Sequence, residues 1–584
     1  MKERASAGIF DLFRAIAKPS TVLIAILALT FYLRLLSFGQ TIDGDVGNIG
    51  YLAWRMSEGE ILIDLEGPGK PPLYSMLYAV FIFLFGPSVI GLKMFGTVFV
   101  LMAVLAVYWL GNQAYGGKVG LLAAFLFGVF SSGPKVEGGA VNLETLLHFP
   151  YILAIGLFLK ASESGRLRWY FLTGLCAALA TLVKQVGGVL FFVFLCYGIH
   201  ERWIKKDSFL VKQGLYPVRK PRHLWRGWRK KRSFLIEGGV QSPALSNGVY
   251  RYILLAGGAL VPVIGVLAFY HFHGYTLNQL YHSVFESNLG YIQRGHEYTS
   301  LQSSLLQLFY FRMKDILSES GIIWVGTMSA AVHLGWRIRR GKGEASDRIL
   351  LWWAFWSFAI LWTTGTFFWH YFLQIIGPFS VLAAYGIVTS WKLARSLSPL
   401  SRFVAQGGWT SLLVVLVIIF IKTDYKHFLS YTGAEQTMFQ HELSNGVFDE
   451  YGIGQIVRQE IAYYIRDHTD PKETIYVWGI APQIYFVAQR KAATRYRNNY
   501  NMTLLVTDNP LKALKAYAPS VMEDLRKSHP VYIVQIFRLE DFPELQTFVR
   551  DQYVVDKDVK LLMPPYTIPL YRRRLDNPTA PNPR

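Results

Sequence analysis

A polytopic α-helical membrane protein with a C-terminal soluble α/β domain is the fold class this sequence predicts, on three observations. Apolar runs of about 18 residues recur between residues 20 and 422, the length a helix needs to cross a bilayer. Hydrophobic residues make up 52% of the chain and charged residues 17%, against roughly 25% charged in soluble domains. The net charge of +20 is concentrated in patches between the apolar runs. Residues 201–232 alone hold twelve Lys or Arg against Glu201 and Asp207, and smaller clusters lie at Arg337–Lys342 and Lys392–Arg402. Basic patches alternating with apolar spans are the signature of positive-inside topology, and they set aside nucleic acid as a partner. Cys176 and Cys196 both sit inside apolar runs, which points to packing rather than a disulfide framework or a metal cluster.

Taken in order, the candidate spans are about 20–38, 93–112, 118–133, 143–160, 169–185, 186–200, 250–271, 320–336, 349–366, 370–389 and 408–422. The basic start (Lys2, Arg4, Arg14, Lys18) is expected inside, and eleven spans then leave the tail outside. Residues 73–86 are too few for a comfortable crossing and are expected to lie along the outer interface, starting at Pro71-Pro72. The same parity puts residues 134–142 and 272–319 outside and the basic loop 201–249 inside. The expected division is a transmembrane domain over 1–423, with an external catalytic loop at 41–72, followed by an external or periplasmic domain over 424–584. The destination is a cell (inner) membrane.

The loop Thr41 to Leu73 carries the chemistry. It packs Asp43, Asp45, Glu58, Glu60, Asp64 and Glu66 against only Arg55 and Lys70, in a chain that is otherwise basic. Charged groups at a membrane boundary are costly and are usually functional. The arrangement suits transfer of a sugar from a polyprenyl phosphate, a lipid carrier whose head sits at the water boundary. Asp43 or Asp45 would take the acceptor's proton. Lys70, Arg55, Arg294 and the His370-Tyr371 pair would hold the phosphate oxygens. Glu60, Asn142, Glu144, His282 and Glu286 converge on the same face as candidate substrate-binding groups. One base acting in a direct displacement inverts the anomeric centre.

Each residue also has a plainer reading. Asp-Gly is common turn chemistry, Lys70 suits a snorkelling position, and Glu144 suits the solvated start of its span. His370 within FFWHYF suits an interfacial aromatic belt. His282 and Glu286 are spaced i,i+4, half of a metal set, so no metal ligand is assigned and a divalent cofactor is left open.

Four stretches together resemble the dolichyl-phosphate-mannose protein mannosyltransferases, a group that includes the bacterial aminoarabinose transferases of lipid A. They are Asp45-(x8)-Trp54-Arg55-Met56 with Gly59-Glu60, Gly69-Lys70-Pro71-Pro72-Leu73, Gly174-(x9)-Lys184, and His370-Tyr371-(x6)-Pro378. They span about residues 20–390. The resemblance implies the C-type glycosyltransferase fold with about 11–13 spans. It implies that Asp45 is the catalytic acid-loop residue, Lys70 a lysine near the carrier phosphate and Glu144 a second external carboxylate. Val46 stands where many relatives have a second acid, which leaves the base open between Asp43 and Asp45. The implied partners are a polyprenyl-phosphate-linked sugar, membrane lipids, and an acceptor lipid, glycan or protein.

The tail reads as a small α/β domain: a helix over 456–468, strands over 474–478 and 531–537, and a helix over 543–551. Arg490 to Tyr500 is basic and aromatic, suited to sugar or phosphate contact or to a solvated surface. The competing function is a lipid or glycan transporter or flippase. That class favours internal repeats and broken mid-membrane helices. The sequence shows no repeat, and its charges gather at one face.

Overall fold

The computed structural model describes residues 18–62, 69–212, 244–302, 304–432, 454–497, 510–560 and 567–574. The expected inside placement of Lys2, Arg4 and Arg14, most of the basic loop 201–249, and the acids Asp64 and Glu66 lie outside the described residues.

The membrane part runs α1 (Pro19–Leu36), α2 (Gly44–Ser57), α3 (Leu73–Phe85), α4 (Val89–Tyr115), α5 (Gly117–Phe130), α6 (Leu143–Ser164), α7 (Leu167–Val183), α8 (Val189–Lys212) and α9 (Ala244–Phe272). It continues with α10 (Leu277–Tyr281), a π-helical turn His282–Glu286, α11 (Ser287–Gln302), α12 (Leu305–Arg339), α13 (Ala345–Ala359), α14 (Leu373–Arg395) and α15 (Pro399–Thr432). Among the described residues, six helices are long and apolar enough to cross a membrane. The protein is a polytopic membrane protein.

One sequence expectation is revised. The span expected at 349–366 stops at Ala359. The chain then passes through a short 3-10 turn (Ile360–Trp362) into irregular backbone, where Gly365 (φ 69°) and Phe367 (φ 46°) are left-handed. Three β-branched threonines around a glycine (Thr363, Thr364, Thr366) favour this break. The segment 272–319 is mostly helical, and its His296 Nε2 bonds the Thr363 carbonyl at 2.9 Å beside this break. The short α3 begins directly after Pro71-Pro72. Its thirteen residues reach about 20 Å, short of the about 30 Å hydrocarbon core. One face (Tyr74, Tyr78, Ala79, Ile82) is buried and the other (Val80, Phe83, Leu84) is exposed.

Small residues let the helices touch backbone to backbone. A Cβ on Gly174 would lie 1.8 Å from the Leu255 carbonyl oxygen, and one on Gly258 would lie 1.9 Å from the Phe171 carbonyl oxygen, so α7 and α9 meet at two glycines. Gly386 of α14 approaches Gly326 of α12 in the same way, at 2.1 Å. Within lipid, where apolar burial does not drive association, such close packing supplies helix–helix affinity.

The tail forms α16 (Gln455–Asp467), β1 (Thr474–Trp478), α17 (Gln483–Ala488), β2 (Lys491–Ala492), α18 (Pro510–Ser528), β3 (Tyr532–Gln535), α19 (Pro543–Gln552), β4 (Tyr553–Lys560) and β5 (Thr567–Arg573). The sheet order is β2-β1-β3-β5-β4, parallel across its first three strands and antiparallel across the last two pairs. The apolar strands Ile475–Trp478 and Tyr532–Val534 are fully buried at its centre.

This sheet domain packs on α2. The backbone of Gln483 lies so close to Gly47 that a Cβ there would sit 2.3 Å from its Cα. The Tyr51 ring packs tilted against Tyr485 with centroids 5.5 Å apart, and its hydroxyl accepts from Ala492 N at 2.9 Å. The basic stretch from Arg490 is not a solvated surface at its start. The Arg490 guanidinium is buried and donates to the carbonyls of Arg466 (2.9 Å) and Thr469 (2.6 Å), closing the α16–β1 turn. Arg495 pairs with Asp524 at 2.8 Å, and residues 498–500 lie outside the described residues.

Replacing Gly174 or Gly258 by Val is expected to lower the melting temperature of the detergent-solubilised protein by several degrees or abolish folded yield. Val at the half-buried helix position Gly257, whose Cβ meets nothing within 4 Å, should have little effect. Equal melting of all three variants would refute the close-packing argument.

Candidate active site

The acidic loop folds into α2 and delivers its two aspartates differently. Asp43 is the N-cap: its Oδ1 accepts from Val46 N at 2.7 Å, as an Asp two residues before a helix turn is suited to do. Asp45, one residue into the helix, projects into a cavity of about 560 Å³. Buried Lys93 fixes the approach to this helix, donating at 2.6 Å to the carbonyls of both Ser37 and Gln40.

The cavity has a polar end and an apolar wall. Asp45, Lys70, Lys184, His370 and Tyr371 make the polar end. Tyr281, Phe285, Leu289 and Ile292 of α10–α11 face Ile360, Leu361 and Phe368 along the wall. The π-helical turn brings Ser283 against Gly69, whose N–H donates to the Ser283 carbonyl at 3.0 Å. Asn288 Nδ2 donates to the Gly69 carbonyl at 2.8 Å. Lys70 is therefore held at the cavity by its neighbour's backbone, from segments more than 200 residues away.

Three cation–carboxylate pairs surround the polar end. Lys70 Nζ lies 3.7 Å from Asp45 Oδ2. Lys184 is ion-paired with the fully buried Glu144, and its ammonium lies 4.5 Å from the centre of the Tyr371 ring. His370 Nδ1 bonds Glu137 Oε2 at 2.8 Å. Glu137 itself is left-handed (φ 54°) at the end of a turn closed by Glu137 N to Pro134 O at 3.0 Å. Non-glycine residues in that region are uncommon and are retained where the surroundings demand them.

The electrostatics separate the two aspartates. Half of Asp45's side-chain surface is accessible, but it opens onto the cavity, and the Lys70 ammonium holds its carboxyl below the usual range. Burial, then the neighbouring Asp45 charge, push Asp43 from 3.8 up to about 7. Asp45 is thus the ionised carboxylate facing the cavity, and Asp43 is a helix cap turned away from it.

Other sequence candidates are placed as follows. Tyr371 and His370 line the cavity. Arg55, expected at a phosphate, is buried and bound by Glu58 and by Glu60 at 2.7 Å, because it lies ten residues after Asp45, about 15 Å further along α2 from the cavity. Glu60 is correspondingly not at the cavity; it joins Arg55 to Lys491 of β2 at 3.2 Å. Glu144 faces Lys184 rather than the cavity, and buried Asn142 reaches Glu137 at 3.5 Å. His282 and Glu286 are exposed and pair with each other at 2.9 Å. Arg294 lies on α11 with its side chain outside the described residues. Among the described residues no three His, Cys, Asp or Glu side chains gather to hold a metal. Lys184, Glu137, Asn288 and Gln185 were missed as site residues. The Glu137-Gly138-Gly139 run was a usable signal for a tight turn: a Cβ on Gly138 would lie 2.5 Å from the Ser131 carbonyl oxygen.

Residues 69–215 match the profile of the family described as dolichyl-phosphate-mannose-protein mannosyltransferase. The stretch contains Lys70, Glu137, Glu144 and Lys184. No curated protein sequence matches the chain. The structure is similar to that of ArnT from Cupriavidus metallidurans bound to undecaprenyl phosphate, with a TM-score of 0.52 and 12% identity, over 95% of this chain and 98% of that one. It is also similar to the oligosaccharyltransferase AglB from Archaeoglobus fulgidus in complex with an inhibitory peptide and a dolichol-phosphate, with a TM-score of 0.51 and 14% identity, over 89% of this chain and 70% of that one. The chain has the C-type fold of these membrane glycosyltransferases.

Because native Asp43 keeps a proton that the unfolded chain releases near 3.8, stability should fall as pH rises from about 4 through about 7. Asp43→Asn preserves a good cap and carries no charge. Melting of this variant should match wild type at or below about pH 4 and exceed it increasingly up to pH 8; parallel curves would show that Asp43 is not so perturbed.

Proposed function

We propose that this protein is an inverting glycosyltransferase of the membrane, moving a sugar from a polyprenyl-phosphate donor to an acceptor lipid, glycan or protein at the external or periplasmic face. The observation that carries this reading is the cavity, where an ionised carboxylate and two lysines meet at one end of a long apolar wall. A prenyl chain fits against Tyr281, Phe285, Leu289, Ile292 and Leu361, and its phosphate belongs beside Lys70 and Lys184. The lipid phosphates held by the two similar structures support that assignment. The family match over residues 69–215 supports a sugar as the transferred group. The division into a transmembrane domain over 1–423 and an external domain over 424–584 belongs to the same proposal, with the sheet domain seated over α2.

The chemistry follows from the pairs. When the donor phosphate takes Lys70, the Lys70–Asp45 pair opens and leaves Asp45 free as a base. Asp45 removes the acceptor's proton while the acceptor atom attacks the anomeric carbon. The bond from that carbon to the phosphate oxygen breaks, and its electron pair leaves on the polyprenyl phosphate, stabilised by Lys70 and Lys184. A single displacement inverts the anomeric centre. His370, fixed by Glu137, borders the same polar end and adds positive potential when protonated.

Transfer from radiolabelled undecaprenyl-phosphate sugars to membrane acceptors provides the test. Asp45→Asn should reduce transfer by about 10²-fold or more while binding of undecaprenyl phosphate is retained. Lys70→Ala should instead weaken that binding. Normal transfer by well-expressed Asp45→Asn protein would eliminate Asp45 as the base.

A further inference from the structure

Beyond the cavity, on the other side of the His370–Glu137 pair, lies a cation for which the mechanism has no use. The Arg312 guanidinium of α12 lies 3.6 Å from the centre of the Trp369 ring, immediately before His370. Neither residue lines the cavity. Their position follows from the layer beneath them. Ile316, one turn after Arg312, and Phe372, three residues after Trp369, meet Val136 around one small void. Glu137 follows Val136, so Arg312, Trp369 and Glu137 project together beyond that layer. The carboxylates whose charge reaches Arg312 are Asp315 and Glu137.

Among the described residues, Arg312 makes no ion pair within 4 Å, and its Nε is shut from solvent without a hydrogen-bond acceptor. The Trp369 indole N–H, in the same stack, lacks an acceptor too. Arg312 as a whole is half-buried, so its outer N–H groups remain reachable. Stacking immobilises the plane of a guanidinium and leaves its in-plane donor fork to bind a carboxylate or phosphate. Buried donors are normally satisfied, and a fixed positive charge short of acceptors calls for anionic oxygen.

We propose that Arg312 and Trp369 form an oxyanion subsite on the acceptor's side of the His370–Glu137 pair, so that the acceptor carries a phosphate or carboxylate near its reacting group. This rests on the transferase reading, since it is the donor cavity that makes this the opposite side. The donor phosphate belongs with Lys70 and Lys184, and the second anion belongs with Arg312.

The test uses the full chain in phosphatidylcholine nanodiscs saturated with undecaprenyl phosphate. Thermal unfolding is followed in two arms: titration with inorganic phosphate, and nanodiscs carrying phosphatidylglycerol without free phosphate. A saturable rise in melting temperature is expected in at least one arm. The apparent affinity should be about tenfold weaker or more in Arg312→Gln and largely kept in Arg312→Lys. A rise with free phosphate identifies a soluble oxyanion as sufficient; a rise only with phosphatidylglycerol identifies a lipid headgroup. The proposal is overturned if neither arm shifts, or if Arg312→Gln shifts as wild type does. Loss in Arg312→Gln of the stabilisation by undecaprenyl phosphate would also overturn it, by moving Arg312 to the donor. If undecaprenyl phosphate fails to stabilise wild type, the donor reading fails, and the Arg312 arms are still read without it.

Discussion

Charge placed beside lipid must be neutralised locally, and the geometry around the cavity follows from that constraint. An isolated carboxylate or ammonium in a low-dielectric setting is costly, whereas a close opposite charge offsets much of that cost. Lys70–Asp45, Lys184–Glu144 and His370–Glu137 each join different elements of the chain. The loop before α3 is tied to α2, the end of α7 to the start of α6, and the start of α14 to the turn after α5. Pairing therefore fixes the mutual positions of α2, α6, α7 and α14 and two loops at one end of the bundle. The pairs differ in how readily they can open. Lys184–Glu144 is nearly sealed, whereas Lys70–Asp45 faces the cavity at a looser 3.7 Å, which suits the pair that a ligand must part.

The sheet domain contributes from above. α2 carries Asp45 near its first turn and is contacted by α17 and β2 through Gly47 and Tyr51, and through Glu60 just beyond its end. A helix of fourteen residues beginning in a surface loop has little intrinsic stability, so packing rather than propensity keeps it formed. The tail thereby supports the acidic loop, with Arg55, Glu58 and Glu60 serving this junction rather than a ligand. Three of the acids that make the loop conspicuous in sequence thus have distinct structural or chemical work: Asp43 caps, Glu60 bridges, and Asp45 faces the cavity.

Much of the architecture was legible along the chain because it depends on local pattern. Apolar length places the helices, Pro71-Pro72 starts α3, and the alternation in the tail identifies β1, β3, α16 and α19 to within a few residues. Local pattern failed at 349–366, where continuous hydrophobicity hid a break set by Thr363–Thr366 and by contact with His296. It also failed at Arg490, whose basic neighbourhood suggested a surface although the guanidinium satisfies buried carbonyls.

The sequence by itself determined that this is a basic, many-helix membrane protein whose acidic residues gather in the loop around Asp45 and Lys70. Those conclusions need only composition and spacing, which are properties of neighbouring residues. Which acid faces the cavity was decided by tertiary structure, because one residue's advance along a helix turns a side chain by about 100°. Partners were decided there as well: Lys184 for Glu144, Glu137 for His370, and the Gly69 carbonyl for Asn288. Such pairs join residues forty to more than two hundred positions apart, and only the packed bundle specifies which of the many charged groups meet.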